Sequence, residues 1–153
     1  MFISRYRSIL SGLLACVTVF LVSCGGPTTA QAPTYTPETL KRIESHATEV
    51  SQLRDRMGEL EDLIEARDWI NVDTFIHGPL GTLRQEMSLI NRNLLPGEQS
   101  QGRELARTLF RHLEAINLAA KQEDYATAVQ NYRESLADFD AFLDVVPTSE
   151  TTG

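Results

Sequence analysis

The thiol of Cys24 has the plainest chemistry in this sequence. It closes the run Leu21-Val22-Ser23-Cys24, after a basic start (Arg5, Arg7) and an apolar stretch over residues 9–22. Small residues before a cysteine at the end of such a stretch form the pattern of a bacterial lipobox. In that pattern the sulfur takes a lipid, the chain is cut before the cysteine, and the new amino terminus is usually acylated too. The stretch has 14 residues, roughly 21 Å as a helix against roughly 30 Å of hydrocarbon, which suits a signal better than a span. Ordinary secretory cleavage is the competing reading, because Ser23 and Ala15 are also small. Two acyl chains anchor stably where one holds weakly, at roughly 0.8 kcal/mol per buried CH₂.

The other groups with chemical potential are scattered. His46, His77 and His112 lie far apart in sequence, and no serine sits in a Gly-x-Ser-x-Gly turn. No glycine-rich loop follows a strand to cradle phosphate. With Cys16 in the signal and Cys24 acylated, neither a nucleophilic thiol nor an intrachain disulfide remains. Together these features point to a protein without catalysis of its own. His46 and Glu49, three apart on one helix face, make a weak surface metal candidate, since two ligands fall short of a structural zinc site. Glu59, Glu61, Asp62, Glu65 and Asp68 read as a solvated face. Arg103, Arg107 and Arg111 recur at i, i+4 and i+8. That basic stripe is either a docking face for an acidic partner or, the favoured reading, paired with acids such as Glu104 and Asp138 or simply solvated. No cofactor or small-molecule substrate is expected.

Four helical stretches must position these groups, each with apolar residues three and four apart. The first, capped by Thr36 with Pro37 at its first position, carries Leu40, Ile43, Ala47, Val50, Met57, Leu60 and Ile64. It could exceed 40 Å as a single helix, at about 1.5 Å per residue. The second enters after Asp68 and carries Trp69, Val72, Ile76, Leu80, Leu83, Met87, Ile90 and Leu94, before Pro96-Gly97. Leu105, Leu109, Leu113, Ile116 and Ala120 mark the third. The fourth enters at Asp124 with Tyr125, Val129, Tyr132, Leu136, Phe139, Leu143 and Val146. No window alternates with period two. Short connections predict an all-α, up-down-up-down four-helix bundle over residues 37–147. Trp69, Tyr125, Tyr132, Phe139 and Phe142 read as packing residues.

The second stretch contains Ile76-His77-Gly78-Pro79-Leu80-Gly81. Pro79 removes a backbone donor and two glycines loosen the same turn, so a kink or break is expected there. His77 beside it either caps a freed carbonyl or touches a partner.

Composition bounds the rest. Beyond the signal, residues 1–23, the chain keeps 12 of its 14 Lys and Arg and all 21 Asp and Glu, a net charge of −9. So acidic a chain is a poor nucleic-acid binder and is repelled by anionic lipid, leaving the anchor to hold it at a membrane. Residues 24–36, rich in Gly, Pro, Thr, Gln and Ala, read as a flexible tether, and residues 148–153 as a short tail of the same kind.

Several motifs in order resemble the cyanobacterial PsbQ proteins. They are Trp69-Ile70, then Ile76-His77-Gly78-Pro79-Leu80-Gly81-Thr82-Leu83-Arg84, Leu94-Leu95-Pro96, His112-Leu113-Glu114, and Leu136-Ala137-Asp138-Phe139-Asp140-Ala141-Phe142-Leu143. The resemblance covers roughly residues 36–147, and the lipobox fits it. It implies a four-helix bundle and a non-catalytic extrinsic subunit of photosystem II on the lumenal face of the thylakoid. The implied partners are the core complex and other extrinsic subunits such as PsbO. Family members have been linked with zinc in crystals, which leaves His46 a surface role at most. The chain departs from the plant members in lacking their basic character, which puts docking models taken from plants in doubt. Independently of the resemblance, the concentration of Gly, Pro and His in an otherwise regular helix leads us to expect that His77, Gly78, Pro79 and Arg84 present part of the docking face. The competing reading is a periplasmic helical lipoprotein that binds a ligand or metal, or an adaptor. For the adaptor, Asp124-Tyr125-Ala126-Thr127-Ala128 with Tyr132 resembles a single tetratricopeptide helix, without the 34-residue repeat.

Overall fold

The computed structural model describes residues 33–148. The signal, Cys24, most of the expected tether and residues 149–153 lie outside them. The described residues are all-helical, with six segments and no strand. These are α1 (Pro37–Asp55), α2 (Met57–Glu65), α3 (Trp69–His77), α4 (Leu83–Asn93), α5 (Gln99–Lys121) and α6 (Tyr125–Asp144).

The expected caps are present. The Thr36 side chain accepts from Thr39 N at 3.2 Å with Pro37 at the first helical position. Two later turns share one design. Arg67 and Glu123 each take a left-handed conformation (φ 55 in both), Asp68 and Asp124 follow as N-caps, and an aromatic residue opens the next helix. In each turn the residue after the left-handed one bonds back five positions: Asp68 N to Leu63 O and Asp124 N to Ala119 O, both 2.9 Å. This is the glycine-favouring Schellman geometry, filled here by non-glycine residues. Arg67 stacks over the Tyr125 ring at 5.0 Å, so the two turns lie side by side. Glu123→Gly is therefore expected to raise stability by about 0.5–1 kcal/mol, read as a higher urea midpoint with unchanged slope.

The first stretch is not one helix. Its ladder is interrupted at Arg56, where Glu59 N bonds Arg56 O (2.9 Å) three residues back and Arg56 N reaches Gln52 O only at 3.3 Å. Arg56 is held there by a two-pronged pair with Glu59 (2.8 and 3.0 Å) and lies over Phe75 at 5.6 Å. The apolar stripe carries on across the interruption, with Val50, Met57 and Leu60 all buried. In the second stretch the helix ends at His77 and resumes at Leu83. Pro79 has no N–H for Phe75 O, and Leu80 N serves that carbonyl instead, at 3.2 Å.

A single apolar cluster joins all six segments, from Ile43 and Val50 through Val72, Met87, Leu109 and Ile116 to Phe139 and Phe142. The most extensive packing is α5 on α6, followed by α1 on α4; α2 touches α3 and α6, and α5 also touches α3 and α4. Helix α5 makes no close backbone approach to α1 or α2, nor does α6 to α3 or α4. Of the expected packing aromatics, Tyr132, Phe139 and Phe142 are buried, whereas Trp69 and Tyr125 are half-buried against the cluster.

Polar ties cross these interfaces. Arg54 grips Asp140 with two bonds (2.8 and 3.1 Å), and its guanidinium holds that carboxyl below the usual carboxylate range. Tyr35, inside the stretch read as tether, instead packs on the core: its hydroxyl donates to Glu98 and accepts from Leu95 N at 3.0 Å. Burial, reinforced by Glu98, pushes the Tyr35 phenol up to about 12. Burial and the nearby Glu61 carboxylate do the same to Tyr132, also to about 12, with the hydroxyl 3.2 Å from Glu61. A phenol raised in the folded state favours folding while the unfolded chain keeps its protons. That contribution is full below pH ~10 and is lost as pH rises to about 12. Alkaline unfolding should therefore set in over this window, and Tyr35→Phe should flatten the pH dependence there.

Candidate functional site

The two docking candidates read from sequence converge on one feature. Helix α4 presents Arg84, Ser88 and Arg92 along one edge; α5 presents Arg103, Arg107 and Arg111 opposite. Between them runs a groove of about 690 Å³, floored by Met87, Ala106 and Phe110. Both rims repeat every four residues because that spacing returns a helix to nearly the same face. Five of the 12 basic residues beyond the signal thus line one groove of an acidic chain.

Arg84 lies 3.9 Å from the centroid of the Phe110 ring, a cation–π contact that fixes it across the groove. Arg107 bonds Glu104 at 2.6 Å, but both side chains are well exposed and such a pair contributes about 0–1 kcal/mol. Of the two forms of the favoured reading, pairing within the molecule is found for Arg107, and Arg103 and Arg111 stand exposed to solvent. Asp138, the other acid considered, is engaged by His112 Nδ1 at 2.6 Å, while His112 Nε2 meets Glu134 at 3.0 Å. At the groove's base Asn91 is buried, and its Oδ1 has no hydrogen-bond partner among the described residues. The backbone of Gly102 comes so close that a Cβ there would sit 2.4 Å from that oxygen. Glycine at this position lets α4 and α5 approach.

His77 and Gly78 are exposed and Pro79 is half-buried. A smaller hollow lined by His77, Leu80 and Gly81 shares Arg84 and Phe110 with the groove, so the two run together. His77 does not cap a freed carbonyl, and Gly78 N itself bonds Thr74 O at 2.8 Å. With the Asn117 amide turned to donate to Asp73 Oδ1 (2.6 Å), its oxygen accepts from His77 Nε2 (3.1 Å) and Lys121 Nζ (3.3 Å). His77 therefore ties α3 to α5.

The metal candidate is not assembled as read. His46 Nδ1 pairs across to Glu86 on α4 at 2.7 Å, rather than with Glu49 one turn on. Among the described residues no three His, Cys, Asp or Glu side chains converge as a metal site. His112 meets its two carboxylates through opposite ring nitrogens, so they share no common centre. The acids read as a solvated face are partly engaged: Glu59 holds Arg56, and Glu61 meets Tyr132. No described helix is long and apolar enough to cross a membrane.

An acidic, all-helical domain that gathers five arginines along one groove has the make-up of an interaction module. The chain belongs to the PsbQ family: the family's sequence profile, described as oxygen evolving enhancer protein 3, matches residues 4–147. It is 41% identical over 145 residues to CyanoQ of Synechocystis sp., across 94% of this chain and 97% of that protein.

Proposed function

We propose that this chain is an extrinsic subunit of photosystem II on the lumenal face of the thylakoid membrane. In this reading it has no catalysis of its own. It docks on the core complex and on other extrinsic subunits such as PsbO, and supports the oxygen-evolving centre. The observation that carries the reading is the family match, which spans the whole helical domain.

The six segments act as four antiparallel rods, α1–α2, α3–α4, α5 and α6, closed up-down-up-down. Each rod packs on its two neighbours and none on the rod diagonally opposite, which supports this grouping. Residues 1–23 serve as a lipoprotein signal and residues 24–36 link the lipidated Cys24 to the bundle of residues 37–147, with 148–153 as a tail. The lipid confines the domain to the membrane surface and raises its effective concentration beside a membrane partner. A modest protein contact then suffices, and the edge from His77 through Arg84 to Arg111 supplies it.

Photosystem II stripped of its extrinsic subunits tests this reading directly. The mature protein should sediment with it and raise its oxygen evolution; absence of co-sedimentation at near-saturating protein overturns the assignment. Mass spectrometry of the mature amino terminus checks the anchor, and an unmodified terminus beyond Cys24 would remove it.

A further inference from the structure

We infer that the groove between α4 and α5 receives an extended acidic segment of a partner protein, with carboxylates at alternate positions. The inference rests on the docking reading above and specifies what docks.

The first ground is charge left without a partner. This chain has acids in excess, and it uses them elsewhere: Arg54 and Arg56 each hold a carboxylate by two bonds. The side chains of Arg92, Arg103 and Arg111 are exposed and make no hydrogen bond, ion pair or ring contact among the described residues. Clustered like charges repel, and a guanidinium is built to take carboxylates bidentately. An anionic ligand resolves both.

The second ground is register. Residues four apart on a helix stand about 6 Å apart, so each rim carries a ladder roughly 12 Å long. An extended chain repeats on one side every two residues, at about 6.6–6.8 Å. Carboxylates at i, i+2 and i+4 therefore meet Arg103, Arg107 and Arg111 in turn, and the two residues between them turn toward the α4 rim, where Arg92 adds a longer-range attraction. A single phosphate would span only one or two of these positions. The apolar floor takes the backbone and small side chains.

Fluorescence anisotropy of a labelled Asp-Ala-Asp-Ala-Asp peptide against the mature protein, purified in detergent, tests the inference. Binding should weaken with added salt. The Arg103→Gln/Arg111→Gln double variant should raise Kd about tenfold, since two charge-assisted contacts are lost. The charge-matched Lys41→Gln/Arg133→Gln variant should leave Kd within about twofold, because both residues lie outside the groove. Undetectable binding to the unaltered protein, or equal loss in both doubles, overturns the inference. So does tighter binding of dihexanoyl phosphatidylglycerol than of peptide, lost in the groove double, which would make the groove a lipid-headgroup site. Sedimentation with photosystem II is read separately on the same variants. Peptide binding without sedimentation removes the photosystem II reading, whereas sedimentation unaffected by the groove double removes the groove.

Discussion

Phe139→Ala is expected to destabilise the domain by about 3–5 kcal/mol, the range for emptying a fully buried aromatic site. Phe139 has no exposed surface and belongs to the one apolar cluster that all six helical segments share. It sits on α6, which packs on α5, α2 and α1, so the cavity opens where several segments meet and collapse is hindered. A domain of this size is stable by about 5–15 kcal/mol, and the variant should therefore unfold at a much lower urea concentration. Far-UV circular dichroism across a urea series measures it. Ile70→Ala supplies the contrast: Ile70 is 81% exposed, and its removal should change stability by no more than about 0.5 kcal/mol. A loss below about 1 kcal/mol at Phe139 would mean that the core closes over the space, against the packing described.

Core positions such as Phe139 were legible because helical periodicity is a property of one segment at a time. The stripes through Ile43, Val72, Leu109 and Tyr132 needed only the three- and four-residue rule, and each is buried. Caps were legible for the same reason: Thr36, Asp68 and Asp124 act on donors three residues away. Arg56 escaped because the one nearby breaker, Gly58, is an isolated glycine of the kind a helix tolerates. Its interruption follows from a side-chain pair with Glu59 and a contact with Phe75, and the latter depends on how α2 meets α3.

Pairings between helices were not legible, and the site is made of them. Sequence spacing offered Glu49 to His46, and Asp138 was an acid expected from another helix to meet the arginine stripe, yet His46 met Glu86 and Asp138 met His112. Residues three or four apart on one helix compete with residues on a neighbouring helix, and only the packing angle and register decide between them. The groove has the same origin. Arg84 was grouped with His77 by adjacency in the chain, and Arg103, Arg107 and Arg111 by their spacing. Their union depends on α4 lying against α5, with Gly102 allowing the approach to Asn91. One sign was available: four of the five arginines occupy a short span, residues 92–111, of a strongly acidic chain.

Gly78→Ala and Gly81→Ala together should destabilise the domain by about 2–5 kcal/mol, without a gain in helicity. A Cβ on Gly78 would lie 2.8 Å from Thr74 O, and one on Gly81 would lie 2.8 Å from His77 O and 3.0 Å from Gly78 O. These are backbone oxygens, which no rotamer change can move. Relief requires shifting the turn itself, and with it the bonds from Leu80 N to Phe75 O (3.2 Å) and from Gly81 N to Gly78 O (2.9 Å). Leu80 is buried in the core just there, so the shift also disturbs packing. Each alanine alone should cost about 1–3 kcal/mol, and the two, being neighbours, need not add. The competing outcome is instructive: alanines favour helix, and a rise in both ellipticity and urea midpoint would mean that α3 and α4 prefer to fuse. Pro79 opposes that outcome, since it can give Phe75 O no hydrogen bond. The same geometry decides which residues can probe docking. A substitution at Gly78 moves the turn between His77 and Arg84, and so displaces Arg84 from Phe110. Weakened docking in that variant would report a distorted groove, whereas loss at Arg103 and Arg111, whose side chains make no hydrogen bond, ion pair or ring contact among the described residues, reports the contact itself.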